Sequence, residues 1–134
     1  MPQLICQSCG RPLTGVCTWG EASDRNLSAP DGQSPVPPGV MVRLTEEDAV
    51  TVHGPGHFLG SHLYSPALSI SVNPVDVIQG ATVSAGRDNG CCGSDGMDGP
   101  NRACRCGAIV GTEWSDCWTL AEFRFHPSAV RVST

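Results

Sequence analysis

Lysine is missing altogether: the eight basic residues of this 134-residue chain are all arginine, set against 13 acidic residues for a net charge of −5. A chain of that balance with no basic stripe is poorly matched to a polyanion, which argues against a nucleic-acid-binding role. Aromatic residues are scarce too, only seven in all, while glycine and proline together number 27. So little bulky apolar material implies a loop-rich domain that needs a staple. No stretch approaches the roughly 20 apolar residues of a membrane-spanning helix. The opening Met-Pro-Gln-Leu-Ile-Cys has neither the basic region nor the apolar run of a signal peptide, so a cytoplasmic location is expected. Catalytic signatures are also absent: no phosphate-binding loop, dinucleotide fingerprint or nucleophile elbow. The sequence therefore leans against an enzyme without deciding the matter.

What the chain does have is cysteine, eight residues of it. In a reducing compartment paired cysteines more often bind metal than form structural disulfides. Cys6-Gln-Ser-Cys9-Gly10 has the spacing that wraps a tight turn around one metal ion, with glycine supplying the backbone conformation the turn requires. Cys104-Arg-Cys106-Gly107 ends in the same Cys-Gly but has one spacer in place of two, which is expected to strain a standard knuckle. The two pairs resemble the knuckles of zinc ribbons and rubredoxins. That resemblance covers about a dozen residues, and it implies a four-cysteine site formed by Cys6, Cys9, Cys104 and Cys106 that joins the two ends of the chain. Cys91 or Cys92, the latter followed by Gly93, is an alternative source of one ligand, and Cys17, Cys91, Cys92 and Cys117 are the remaining candidates for a second site. Zinc is the expected ion and iron the alternative, since spacing does not separate them at four thiolates. Four thiolates and one divalent cation would take the net charge from −5 to −7. Arg102 and Arg105, on either side of Cys104, are placed to offset part of it.

The run from Gly90 to Asn101, Gly-Cys-Cys-Gly-Ser-Asp-Gly-Met-Asp-Gly-Pro-Asn, is similar to one found in small bacterial proteins ahead of a Cys-x-Cys-Gly; no known activity comes with that likeness. Its aspartates do not fit a calcium loop, and a chain of turns is the better reading. His53, His57 and His62 fall within ten residues, but the intervening Gly-Pro-Gly denies them a common helical face, and no glutamate base lies nearby.

Residues 18–39 are rich in proline and glycine and read as a long loop. Residues 40–53 read as a hairpin, Val40–Leu44 and Ala49–His53 around an acidic turn, with a short helix capped by Thr45 as the alternative. Leu68–Val72 alternates as a half-buried strand does, Asn73-Pro74 opens a helical turn, and Ala81–Ala85, Ala108–Thr112, Glu122–His126 and Ala129–Val132 are further strands. The expected architecture is one mostly β domain over residues 1–134, small and loop-rich, with short antiparallel strands around a zinc-ribbon-like metal site of four cysteines. The expected role is a structural zinc protein, a small subunit or adaptor acting through protein contacts. A rubredoxin-like iron electron carrier at the same four sulfurs is the alternative.

Overall fold

Cys6 and Cys104 close two of the strands in the computed structural model, which describes residues 2–53, 61–87, 90, 93–116 and 119–134. Strands β1 (Gln3–Cys6) and β11 (Val130–Ser133) pair antiparallel from Gln3↔Ser133 to Cys6↔Val130. A seven-stranded sheet holds β2 (Thr18–Trp19), β3 (Val40–Arg43), β6 (Ile70–Val72), β10 (Glu122–Phe125), β9 (Ile109–Trp114), β8 (Arg102–Cys104) and β7 (Thr82–Ser84), in that spatial order. Its pairings are antiparallel except β2 with β3. Strands β4 (Val50–His53) and β5 (Ser61–Tyr64) form a separate antiparallel ribbon. The mostly β architecture of short strands is as the sequence implies. The two helical segments among the described residues are single 3-10 turns, Ala22–Asp24 and Pro74–Asp76. Asn73 caps the second, its side chain accepting the Val75 N–H at 3.0 Å, and Pro74 supplies a fixed φ where no N–H is needed.

The expected hairpin over 40–53 is corrected. Both strands exist, but β3 lies between β2 and β6 while β4 pairs with β5. The cause is local: the Thr45 hydroxyl accepts the Asp48 N–H at 3.3 Å and donates to the Asp48 carboxylate at 3.0 Å, while the Ala49 N–H reaches the Thr45 carbonyl at 2.9 Å. Thr45 caps this segment as the alternative supposed, but it stays a hydrogen-bonded turn and forms no helix, and it carries the chain away from β3 instead of folding it back. The stretch after Trp19 is pinned down along its length, with the Asn26 N–H on Pro35 O at 2.7 Å, the Gly32 N–H on Thr119 O at 2.8 Å, and Ala29 and Val36 buried.

The main core lies between the β1–β11 pair and the large sheet: Leu4, Leu13, Cys17, Met41, Ile70, Val72, Val110, Phe123, Phe125 and Val130 cluster with Cys6 and Cys104. Strand β10 alternates charged and aromatic residues, yet all four are buried. Phe123 and Phe125 face this core with ring centroids 4.3 Å apart. The next residues along the strand, Glu122 and Arg124, point to the opposite face, where they are fully buried as an ion pair. The same holds in β6, where Ser71 is buried and donates to the Glu122 carboxylate.

That second face is the joint to the β4–β5 ribbon. Arg124 bonds Glu122 through Nε at 2.8 Å, the carbonyls of Ala49 and Leu63 through Nη1 at 2.7 and 3.4 Å, and the Thr51 hydroxyl through Nη2 at 2.8 Å. Its guanidinium also lies 5.1 Å from the centroid of a Trp114 ring. Arg25 binds the other carboxylate oxygen of Glu122 at 2.9 Å. Burial alone would push the Glu122 pKa up, but Arg124, Arg25 and the Ser71 hydroxyl together hold it below the ordinary carboxylate value.

Candidate metal centre

The first knuckle follows directly from β1. The Cys6 N–H bonds Arg11 O and the Gly10 N–H bonds Cys6 O, both at 2.8 Å, so residues 6–11 close into a tight turn. Gly10 takes φ +78°, a region open to glycine and strained for other residues. The turn leaves Cys6 buried at the end of the strand and Cys9 exposed at its tip.

The second knuckle joins β8 to β9. The Cys104 N–H bonds Ala108 O and the Gly107 N–H bonds Cys104 O, both at 2.8 Å, with Gly107 at φ +97°. This is a three-residue hairpin loop with glycine at the left-handed position. The strain expected of the single spacer does not arise, because the hairpin turns the chain within three residues and the sulfurs find N–H donors inside it. Cys104 receives the backbone N–H of Cys106, and Cys106 that of Ala108. Burial pushes the Cys104 thiol up to about 12 despite that donor, whereas the Ala108 N–H brings exposed Cys106 down to about 7. N–H donors of this kind stabilise thiolate sulfur, the form that binds metal.

The fold brings the four sulfurs together. Cys6 Sγ lies 3.7 Å from Cys106 Sγ and Cys9 Sγ lies 3.6 Å from Cys104 Sγ, and all four sulfurs fall within 4.8 Å of one another. A tetrahedron with metal–sulfur bonds of about 2.3 Å has edges of about 3.8 Å, so these separations suit one ion in the middle. They are far from the 2.05 Å or so of a disulfide. Each knuckle contributes one buried and one exposed cysteine.

Other residues singled out in the sequence go elsewhere. Arg102 bonds Thr82 O and Oγ1, both at 3.0 Å, and pairs with Glu113 at 3.5 Å; Arg105 bonds the Gly80 carbonyl. Arg102 thus ties β8 to β7 and β9, and Arg105 ties the β8–β9 turn to the segment before β7. Cys17 is a core residue, its thiol pushed up to about 11 by burial and by the nearby Asp76 carboxylate. Asn101 is buried and clamps Glu113, accepting its N–H at 2.8 Å and donating to its carbonyl at 2.9 Å, which is a strand-like use of an amide and not a cation ligand. Asp95 accepts the Met97 N–H in a local turn. Gly96 sits against the indole of Trp114 so closely that a Cβ there would meet Nε1 at 2.1 Å. His53 and His62 belong to β4 and β5, where Val52 pairs with His62 and His53 with Ser61 in register. Their side chains, together with His57, Cys91, Cys92 and Cys117, lie outside the described residues.

The buried Arg25–Glu122–Arg124 cluster was missed in the sequence. A charged residue at every second position of Glu-Phe-Arg-Phe looks like a solvent-facing pattern, and only the ribbon packed on that face makes it interior. Compared with protein-family models, with curated proteins and with solved structures, the chain matches none.

Proposed function

We propose that Cys6, Cys9, Cys104 and Cys106 hold one zinc ion as a structural staple of the zinc-ribbon kind, and that the domain works through protein contacts as a small subunit or adaptor. The carrying observation is the pair of cross-knuckle sulfur separations, 3.7 and 3.6 Å, at the edge length of a metal–thiolate tetrahedron. Zinc bound there cross-links the β1 turn to the β8–β9 hairpin and balances part of the thiolate charge, with no redox chemistry of its own. Such binding is worth about 10–16 kcal/mol in small zinc domains, at least as much as the roughly 5–15 kcal/mol of net stability a domain has. A contact-based role is supported by large apolar side chains left on the surface: Val75 is 73% exposed, Tyr64 56% and Trp19 44%. The acidic net charge and the lack of a basic stripe speak against nucleic acid as the partner. No helix among the described residues is long and apolar enough to cross a membrane. We place the protein in the cytoplasm, where thiolates stay reduced.

An iron electron carrier at the same sulfurs is the second reading, favoured by the exposure of Cys9 and Cys106, which would bring an electron close to the surface. Metal analysis of protein purified without chelator separates the readings. One zinc per chain and a colourless solution support the staple; visible thiolate-to-iron absorption supports the carrier. A chain that carries no metal and folds cooperatively without it would sink both.

A further inference from the structure

The two exposed cysteines each face a buried cysteine of the other knuckle: the sulfur of exposed Cys106 lies 3.7 Å from that of buried Cys6, and the sulfur of exposed Cys9 lies 3.6 Å from that of buried Cys104. From this we infer that the metal centre is a peroxide-responsive thiol switch that exchanges its zinc for two cross-knuckle disulfides, Cys6–Cys106 and Cys9–Cys104. The inference rests on the zinc reading above and assigns that site a regulation.

An oxidant reaches the exposed cysteine of each pair first, and the outcome depends on what stands next to it. A thiolate of Cys9 or Cys106 attacks a peroxide oxygen, the O–O bond breaks, and the sulfur becomes a sulfenic acid with release of hydroxide. The partner thiolate then attacks that sulfur, the S–O bond breaks, a second hydroxide leaves and the disulfide forms. Each pair thus consumes one hydrogen peroxide, is oxidised by two electrons and reduces the peroxide to two hydroxides. Two peroxides convert all four ligands and free the zinc as Zn2+. Because a resolving sulfur sits within 4 Å or so of each exposed one, condensation competes with further oxidation to the irreversible sulfinic acid.

Connectivity has a structural consequence. Disulfides within a knuckle would leave the β1 turn detached from the β8–β9 hairpin, whereas cross-knuckle disulfides keep the two joined after the metal has gone. The oxidised protein should therefore stay folded where the chelated, reduced protein does not.

The test uses the whole chain, with zinc first quantified in the purified protein so that failure of the zinc reading is seen separately. Hydrogen peroxide is titrated in while released zinc is followed with a chromogenic indicator, and thiols are then blocked and the protein is digested under non-reducing conditions. Trypsin cuts after Arg105 and so separates Cys104 from Cys106. Expected are one zinc released per two peroxides, a species linking the N-terminal peptide to both of those peptides, fragmentation placing Cys6 with Cys106 and Cys9 with Cys104, and zinc rebinding after dithiothreitol. Buried Cys17 stays reduced and serves as an internal control. Repeating the titration with Cys91, Cys92 and Cys117 replaced by serine keeps other thiols from diverting the oxidant. Disulfides within a knuckle, any other pairing of the four, sulfinic acid without disulfide, or zinc retained at peroxide concentrations that oxidise free cysteine would each overturn the switch. Protein that carries no zinc fails the metal reading, and the pairing found on peroxide treatment of that protein still decides whether the sulfurs couple as inferred.

Discussion

Replacing Glu122 with glutamine tests the interior of the molecule at its most charged point. The carboxylate is fully buried and receives Arg25 at 2.9 Å, Arg124 at 2.8 Å and the Ser71 hydroxyl. Its removal leaves two guanidiniums with no anion between them. Breaking a buried pair by removing one partner costs about 3–5 kcal/mol, because the remaining charge stays desolvated and unpaired. For a chain of this size the unfolding entropy is about 0.28 kcal/mol per kelvin, so Glu122→Gln should lower Tm by roughly 11–18 °C. The pH dependence follows from the lowered Glu122 pKa. A carboxylate whose folded pKa lies below its unfolded value stabilises the fold above the unfolded value, about 4.3, and loses that contribution as pH falls through the folded one. The wild type should thus lose stability on acidification and the variant should lose less. Thermal melts by circular dichroism between pH 3 and 7, with zinc content matched, measure both effects. A Tm drop under about 4 °C, or an acid limb unchanged in the variant, would refute the buried-pair account.

Gly96→Ala should destabilise by about 2–5 kcal/mol, since its Cβ would strike the Trp114 indole at 2.1 Å and the residue holds φ +68°; urea melts followed by tryptophan fluorescence read it out, and a neutral result would contradict the packing. Asn101→Leu removes both hydrogen bonds that clamp the Glu113 backbone, for an expected cost of about 2–4 kcal/mol in denaturant melts. Raising the Cys17 thiol to about 11 makes the fold prefer the protonated form, so its contribution is intact below the ordinary thiol value near 9 and is lost as pH rises toward 11. Cys17→Ala should flatten that part of the alkaline stability profile, and an unchanged profile would rule the thiol out as its cause.

Much of the β architecture was legible because period and punctuation agree. Asn73-Pro74 announces its turn, and the Cys-Gly pairs announce theirs, since each needs a specific backbone shape that few residues allow. Pairing was not legible. Val40–Arg43 and Val50–His53 have the composition of a hairpin, yet the Thr45–Asp48 turn sends them to different sheets, and nothing in either strand names its partner. Nor was burial legible in Glu122 and Arg124, where a charged side chain is interior only because Ala49, Thr51 and Leu63, distant in sequence, come to cover it. The four cysteines could be grouped because sulfur chemistry limits what paired cysteines do, a constraint that acts across any separation along the chain.

That separation has a cost in time. Cys9 and Cys104 are 95 positions apart, and β1 finds its partner strand in Val130–Ser133. At about 5–20 residues per second, a ribosome exposes the first Cys-x-x-Cys several seconds before the second pair exists. During that interval the nascent chain offers only the first of the two knuckles, so the ion can lock into the four-sulfur site only after Cys104 and Cys106 have been made, and a product truncated before them would lack half of the site.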